Sequence, residues 1–373
     1  MPPPDEKFMR AALALAAKGQ GRTRPNPMVG AVVVRAGRVV GAGWHPKAGG
    51  PHAEVIALRQ AGARARGATL YVSLEPCAHT GRTPPCTEAI AAAGIRRVVA
   101  AMIDPNPKNR GRGIRRLKAG GIRTSVGLLE KEAQALNRVF VTWMTAGRPF
   151  VTVKVAQSLD GKIATRTGSS RWISGPAARA WAHRLRGQVD AILVGIETVL
   201  KDNPRLTVRI SPTMSLSKGE RNAPVKVILD SHLRTPPAAR IFGSRTPVII
   251  ATTARASKSR EAQLRCAGAE ILRLPGRNGR VNLRELLKQL AKREISHLLI
   301  EGGGEVIASA FEARAVDRIA CIIAPAIIGG RNAPTAVEGT GVKSLDASIR
   351  LRNAHVHPLG KDLLVTADVY RHR

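Results

Sequence analysis

The stretch Thr69-Leu-Tyr-Val-Ser-Leu-Glu-Pro-Cys77 decides the fold of this chain. Its first six residues are mostly apolar, β-branched or aromatic, which is typical of a short buried strand, and a cysteine follows where the strand ends. Pro51-His-Ala-Glu54 comes earlier, before a helical stretch that ends near Gly62, and Pro84-Pro-Cys86 comes later. Ligands at the ends of neighbouring elements can meet at one point, so this order predicts a site beyond the end of the strand.

The side chains of these segments match the ligand set of a catalytic zinc site. Zinc bound by one His and two Cys keeps a fourth position for water, and a carboxylate that does not bind the metal can move the protons of a hydrolytic deamination. We therefore predict that His52, Cys77 and Cys86 bind Zn²⁺ and that Glu54 is catalytic. Either cysteine alone could be a small buried hydrophobic residue, so the prediction depends on the combination.

The spacing of the cysteines distinguishes between kinds of deaminase. Nucleobase and tRNA deaminases contain Pro-Cys-x-x-Cys, whereas eight residues separate Cys77 from Cys86 here. Residues 75–86 read Glu-Pro-Cys-Ala-His-Thr-Gly-Arg-Thr-Pro-Pro-Cys. This segment resembles the riboflavin-biosynthesis deaminases, whose pattern is Glu-Pro-Cys-x-His-x-Gly-Arg-Thr-Pro-Pro-Cys, at every fixed position.

Three more side chains in this half are candidates for substrate binding. Asn26 lies between two prolines, His45 follows a predicted hairpin, and His79 lies between the two cysteines. From the residues alone, an Asx turn at Asn26 or a surface position for His45 is an equally good interpretation. The resemblance implies that these loops contact a pyrimidine. Residues 104–113 also resemble the family, except that Asn109-Arg110 replaces residues that are usually small or apolar.

Length and composition are those of a two-domain enzyme. A chain of 373 residues exceeds one ordinary domain, and 44% hydrophobic residues suffice for two cores. No apolar run approaches the roughly 18 residues of a membrane span, and the start of the sequence lacks a signal pattern, so we expect a cytoplasmic protein that does not bind membranes. With two of four cysteines assigned to metal, a disulfide framework is not expected, and Cys266 and Cys321 are predicted to be inert.

The charge favours an alternative, a deaminase directed at nucleic acid. The chain has 60 Lys and Arg against 26 Asp and Glu, for a net charge of +34. However, residues 1–146 carry +15 and the remainder +19, without a basic tail, and 3% aromatic residues leave few platforms for stacking bases. A basic surface also attracts small phosphorylated substrates and dinucleotides. The charge thus agrees with the small phosphorylated pyrimidine that the resemblance implies as the substrate, and no specific nucleic acid is expected.

A second alternative is an interaction protein with a structural zinc. Structural zinc sites are normally closed by four protein ligands, and no fourth Cys or His occurs in a comparable motif. Zinc saturation without turnover would favour this alternative.

Strand and helix patterns alternate along the chain and predict two layered α/β domains with parallel strands. The first has a helix over 5–18, a hairpin turning at Ala36-Gly37, strands over 69–74, 97–103 and 122–126, and helices over 85–93 and 111–119. The boundary is predicted near 143–149. The second has strands over 150–156, 191–195, 225–229, 247–251 and 295–300, helices over 176–186, 281–292 and 305–311, and a polar surface loop over 211–223.

Glu301-Gly-Gly-Gly304 joins a predicted strand to a predicted helix in the second domain. Such a turn presents backbone N–H groups and the positive end of a helix dipole to phosphate. It is not the Gly-x-Gly-x-x-Gly pattern, and a glycine-rich turn can also be purely structural. Dinucleotide binding is therefore one of two interpretations of this turn.

Four segments of the second half resemble the reductase part of the bifunctional riboflavin-biosynthesis enzymes: 154–161, 170–172, 202–209 and 301–304. The resemblance covers nearly the whole chain. It implies a cytidine-deaminase-like three-layer α/β domain over 1–146, acting as a zinc-dependent pyrimidine deaminase. It also implies a dihydrofolate-reductase-like α/β domain over 147–373, acting as an NADPH-dependent reductase.

The resemblance also implies site residues in the second domain. The expected NADPH contacts are Ala156, Trp172, Thr198, Asp202, Ser231, Gly303, Gly304, Glu305, Val306, Ile307, Ala308 and Ser309. The expected substrate contacts are Lys154, Ser170, Arg186, Leu206, Arg209 and Glu301. Arg186 and Arg209 can hold a phosphate with forked, charge-assisted hydrogen bonds.

The implied reaction has two steps. The first is zinc-dependent hydrolytic deamination of 2,5-diamino-6-ribosylamino-4(3H)-pyrimidinone 5′-phosphate. The second is reduction of the ribosyl side chain with NADPH, which gives 5-amino-6-ribitylamino-uracil 5′-phosphate. A homo-oligomer is expected from the family alone, and the sequence assigns no proton donor to the reduction.

Overall fold

The computed structural model describes residues 4–80, 84–209 and 223–370. The chain divides into two compact units, Met1–Arg148 and Pro149–Arg373, which we call unit 1 and unit 2. The predicted boundary, after residue 146, lies two residues before this division. Most of the surface loop predicted over 211–223 falls outside the described residues.

Unit 1 has one five-stranded sheet in its described part, with strand order β2-β1-β3-β4-β5. Strands β2, β1 and β3 are antiparallel neighbours, and β3, β4 and β5 are parallel. The strands are β1 (Gly30–Arg35), β2 (Arg38–Trp44), β3 (Thr69–Val72), β4 (Arg97–Ala100) and β5 (Arg123–Val126). The helices are α1 (Pro4–Ala17), α2 (Ala53–Ala61), α3 (Cys86–Ala92), α4 (Arg112–Ala119), α5 (Glu130–Leu136) and α6 (Arg138–Ala146).

Helices cover both faces of this sheet. Along β1, Ala31 and Val33 pack in the core with α2, α3 and α4, whereas Val32 and Val34 pack with α1, α5 and α6. Alternate residues of a strand point to opposite faces, so the run from Gly30 to Val34 is apolar because both faces of β1 are buried there. The three-layer α/β architecture is therefore as expected. Helices α5 and α6, which the sequence analysis did not predict, supply part of the second layer.

Unit 2 contains a nine-stranded sheet with strand order β10-β9-β8-β7-β13-β6-β14-β16-β15, and a small β11-β12 hairpin. Neighbours from β10 to β14 are parallel, and β14, β16 and β15 are antiparallel. The strands are β6 (Phe150–Ser158), β7 (Ala191–Gly195), β8 (Val225–Leu229), β9 (Val248–Thr252), β10 (Ala269–Arg273), β11 (Gly276–Arg277), β12 (Arg280–Val281), β13 (His297–Gly302), β14 (Arg318–Ala324), β15 (Leu351–Leu359) and β16 (Asp362–Val369). The helices are α7 (Pro176–Arg186), α8 (Ile196–Asp202), α9 (Lys258–Cys266), α10 (Leu283–Lys292) and α11 (Gly304–Glu312).

The central strands of unit 2 are short apolar runs because they are buried on both faces. On one face Leu193 packs in a core with α10 and α11, and on the other Ile192 packs in a core that includes Leu264 of α9. The sequence analysis did not predict α9, β10, β14, β15 or β16. Leu264 is the single fully buried residue of α9, and β15 is exposed along nearly its whole length, so neither carries a strong apolar pattern.

The parallel strands of unit 2 all end at the same edge of the sheet. Ligands of open α/β sheets bind beyond this edge. The carboxyl ends of β6, β7, β8 and β13 therefore mark where a site is expected. No helix within the described ranges is both long enough and apolar enough to cross a membrane.

Candidate active sites

In unit 1, the predicted zinc ligands come together from three separate elements. His52 is the residue that precedes α2, Cys77 follows β3, and Cys86 is the first residue of α3. His52 Nδ1 lies 3.1 Å from Cys86 Sγ and 3.6 Å from Cys77 Sγ. All three ligand atoms lie within 4.8 Å of one another. Among the described residues, no other group of three or more His, Cys, Asp or Glu side chains lies this close together.

This cluster fits zinc by donor type and by spacing. The ligand atoms of a tetrahedral zinc with two sulfurs and one nitrogen lie roughly 3.5–3.8 Å apart, so small side-chain adjustments would complete the site. The side-chain hydrogen bond with Cys86 lowers the pKa of Cys77 to about 4, and the same hydrogen bond, together with burial, raises the pKa of Cys86. Because the thiolate is the metal-binding form of cysteine, the lowered pKa of Cys77 suits it to bind a divalent cation.

Glu54 lies in the first turn of α2 and is buried. Burial raises the pKa of its carboxyl group, although the nearby His52 opposes this rise. A side-chain hydrogen bond joins Glu54 to Cys86. A carboxyl group with a raised pKa, next to the predicted ligands, is suited to accept and return a proton near neutral pH.

Of the three other candidates in unit 1, Asn26 and His45 contact each other. Asn26 Nδ2 lies 3.1 Å from His45 Nε2, and His45 Nδ1 lies 3.0 Å from the carbonyl oxygen of Pro51. Burial lowers the pKa of His45, so the neutral ring donates to Pro51 and accepts from Asn26. His45 also packs edge-to-face on His52, with ring centroids 5.4 Å apart. The buried Nδ1 of His79 has no hydrogen-bond partner among the described residues.

Glu75 has a role that the sequence analysis missed. Its buried carboxylate accepts hydrogen bonds from the backbone N–H groups of Asp104 (3.0 Å), Gly111 (2.9 Å) and Ile114 (3.1 Å). These bonds fasten the connection between β4 and α4 to the segment that carries Cys77. The sequence contains one sign of this role, which is an acidic residue at the end of an apolar strand and two positions before a predicted metal ligand.

Unit 2 contains a cavity of about 1220 Å³ at the carboxyl ends of its central strands. Two of the predicted contacts, Leu206 and Ala308, do not line it. Leu206 is buried in the core with α9, and Ala308 lies against Gly339. The predicted residues that line the cavity are Lys154, Ala156, Ser170, Trp172, Arg186, Thr198, Asp202, Arg209, Ser231, Glu301, Gly303, Gly304, Glu305, Val306, Ile307 and Ser309.

An ion pair lies in the wall of this cavity. Arg186 Nε donates to Glu301 Oε1 (2.7 Å) and Arg186 Nη2 donates to Glu301 Oε2 (2.5 Å). Burial alone would raise the pKa of Glu301, but the charge and hydrogen bonds of Arg186 outweigh burial and leave this pKa below its ordinary value. Burial lowers the pKa of Lys154, which interacts electrostatically with both partners. The wall thus has charges of both signs in fixed positions.

The glycine turn between β13 and α11 exposes backbone to the cavity. Gly303 has φ +72°, a conformation that favours glycine. A Cβ atom at Gly304 would lie 2.5 Å from Glu338 Cγ and 2.8 Å from the carbonyl oxygen of Thr335, so a side chain cannot fit there. Residues 303–307 line the cavity, so the start of α11, where the N–H groups of any helix lack intrahelical partners, borders it.

His183 is a second residue that the sequence analysis missed. It lines the cavity on α7, one turn before Arg186, and its Nδ1 accepts a hydrogen bond from the backbone N–H of Arg209 (3.2 Å). Burial, with the charges of Arg186 and Arg209, lowers the pKa of His183, so the ring is neutral. His183 lies three residues before Arg186, so both side chains lie on one face of the helix. This spacing could have indicated His183 from the sequence.

Comparison with known proteins supports both halves. Residues 2–102 match the cytidine and deoxycytidylate deaminase zinc-binding region, and residues 149–365 match the RibD C-terminal domain. The chain is 46% identical over 361 residues to riboflavin biosynthesis protein RibD of Aquifex aeolicus, covering 97% of each chain. It is 43% identical over 330 residues to RibD of Escherichia coli, covering 87% of this chain and 89% of the relative.

Solved structures agree over the full length. RibD of Acinetobacter baumannii superposes with a TM-score of 0.87 at 37% identity, covering 99% of each chain. A diaminohydroxyphosphoribosylaminopyrimidine deaminase/5-amino-6-(5-phosphoribosylamino)uracil reductase of Thermotoga maritima superposes with a TM-score of 0.82 at 35% identity, covering 98% of this chain and 99% of that one.

The fold and the two sites define a bifunctional enzyme, a zinc-dependent deaminase joined to an NADPH-dependent reductase with a dihydrofolate-reductase-like fold. The enzyme acts in the biosynthesis of riboflavin. The chain belongs to the RibD family.

Proposed function

We propose that this enzyme deaminates 2,5-diamino-6-ribosylamino-4(3H)-pyrimidinone 5′-phosphate and then reduces the ribosyl side chain of the product with NADPH. The observation that carries the proposal is that one chain contains both the His52, Cys77 and Cys86 cluster and a cavity lined by charged side chains and by the glycines between β13 and α11. The deaminase role belongs to residues 1–146 and the reductase role to residues 147–373.

In the deamination, His52, Cys77 and Cys86 would hold the metal, which would supply an activated water for attack on the amine-bearing ring carbon. Glu54 takes a proton from this water and returns it to the departing ammonia, which its raised pKa favours. Asn26, His45 and His79 orient the pyrimidine. The hydrogen bonds of His45 to Asn26 and Pro51 hold its ring in one orientation.

In the reduction, Gly303 and the start of α11, as far as Ser309, receive the diphosphate of NADPH, which supplies the hydride when bound. Ala156, Trp172, Thr198, Asp202 and Ser231 complete the cofactor site. Lys154, Ser170, Arg186, Arg209 and Glu301 bind the ribose phosphate. Leu206 and Ala308 do not line the cavity, so neither is assigned a direct contact here.

The test is a single reaction in which the zinc-loaded protein receives the diaminopyrimidinone substrate while ammonia and NADPH are both followed. We expect ammonia to appear first and NADPH to be consumed afterwards. Ammonia without NADPH consumption would contradict the reductase role. Deamination of RNA, with the free pyrimidine phosphate left intact, would contradict the substrate assignment.

Two coarser expectations accompany the proposal. A cytoplasmic location agrees with the four unpaired cysteines, because reducing conditions keep thiols free. A homo-oligomer is expected from the family, and sedimentation analysis would test it.

A further inference from the structure

The connection between β4 and α4 places a buried amide against the segment that carries Cys77. Asn109 is fully buried. Its Oδ1 accepts a hydrogen bond from the N–H of Ala78 (2.9 Å), and its Nδ2 donates to the carbonyl oxygen of Pro76 (3.4 Å). These two backbone groups flank Cys77 on either side, so one side chain bridges the backbone around one ligand of the metal cluster.

The orientation of this amide is fixed by its partners. Nδ2 also donates to Asp104 Oδ2 (3.1 Å), so both of its hydrogens meet oxygen atoms, while Oδ1 meets an N–H group. A flipped amide would place the NH₂ group against the N–H of Ala78 and lose all three bonds. The bridge is therefore specific to an asparagine in one orientation.

Two further sets of contacts hold the same segment. A Cβ atom at Gly113 would lie 1.9 Å from the carbonyl oxygen of Pro76, so the start of α4 packs directly on this backbone. Glu75 binds three N–H groups of the same connection. Between these contacts, the backbone of Cys77 cannot shift without breaking buried hydrogen bonds, which is costly.

We propose that Asn109 is a positioning residue of the deaminase that fixes the backbone of Cys77, so that its thiolate stays in place for the metal. The inference rests on the proposed function, because it takes Cys77 as a zinc ligand.

The experiment measures how fast zinc passes from the loaded protein to a chelator. Asn109→Val removes the bridge at similar volume, and we expect zinc release to become about 10-fold faster, since loss of groups that orient a metal ligand typically costs this much or more. Asn137→Val is the matched control. Asn137 is also buried and bridges a backbone, binding the N–H (2.8 Å) and carbonyl oxygen (2.9 Å) of Met28, which is not beside a metal ligand.

We expect Asn137→Val to release zinc at the native rate, and both variants to reduce the deaminated intermediate, supplied directly, as the native protein does. Native zinc release from Asn109→Val, or equal acceleration in both variants, would overturn the inference. If Asn109→Val does not fold, Asn109→Ala replaces it, because it also removes the bridge and introduces neither added bulk nor a buried charge. Native release from that variant would overturn the inference equally, while native protein that binds no zinc would overturn the proposed function itself.

Discussion

The metal cluster of unit 1 and the cavity of unit 2 are built in opposite ways. The cluster takes its three donors from within 35 residues and holds them within 4.8 Å of one another. The cavity of about 1220 Å³ is lined by residues from Lys154 to Glu338, which lie far apart along the chain. A site for a metal and a small ring is thus encoded locally, whereas a site for a dinucleotide requires most of a domain. Substitution of a metal ligand or of Glu54 should accordingly abolish deamination, whereas substitution of a single residue that lines the cavity of unit 2 should weaken reduction only in part.

The largest effect is expected from Glu54→Gln. Gln cannot accept and return the proton, so ammonia release should fall by about 10³-fold or more, while zinc content and reduction of the supplied intermediate stay native. Ammonia release and metal analysis measure this. Glu88→Gln, which changes an exposed carboxylate of α3, is the control. Retained deamination in Glu54→Gln would remove the contrast between the units.

Glu301→Gln tests the ion pair in the cavity of unit 2. The change leaves the largely buried Arg186 without its counter-charge, so the free energy of unfolding of unit 2 should fall by about 3 kcal/mol. Urea unfolding, with reductase and deaminase activity followed separately, measures this. A native unfolding midpoint would indicate that the pair does not stabilise the unit.

Arg209→Ala tests the graded behaviour of unit 2. Arg209 is exposed, so loss of its contact with a phosphate should raise the KM for the intermediate about 10-fold, with little change in the KM for NADPH. Steady-state kinetics of the reduction measure both constants. Arg205→Ala, a nearby exposed arginine that does not line the cavity, should have native constants. Equal changes in both variants would point to a general effect of charge.

The smallest effect is a shift in pH dependence. Burial lowers the pKa of His45, so its ring stays neutral down to a lower pH than the ring of an exposed histidine. Asn26→Asp would place a carboxylate near His45 Nε2 and raise this pKa, so the ring would become protonated at a higher pH. The acidic limb of the deamination profile should then move up by about one pH unit. The reductase profile is the internal control, and an unmoved acidic limb would argue against a neutral His45 in the reaction.

The same contrast explains what could be predicted from the sequence. His52, Cys77 and Cys86 were predicted from their types and spacing, because each stands at the end of an element with a clear pattern. Most unit 2 residues were predicted through resemblance alone, since spacing along the chain does not report which of many strand ends line one cavity. Glu75 and His183 were missed because they act on backbone N–H groups, and a sequence does not show which distant backbone a side chain will meet. The exposed strand β15 was missed because it buries almost nothing.

The bonds of Glu75 have one more consequence. They connect the segment that carries Cys77 to the start of α4 without involving any ligand atom, and Cys86 is anchored as the first residue of α3. A zinc finger unfolds without its ion because the ion is its core, whereas unit 1 has an apolar core and buried hydrogen bonds that do not use the ligand atoms. We therefore expect the metal to be exchangeable. Protein stripped by a chelator should remain folded, and should regain deamination when cobalt, a spectroscopically visible ion, replaces zinc.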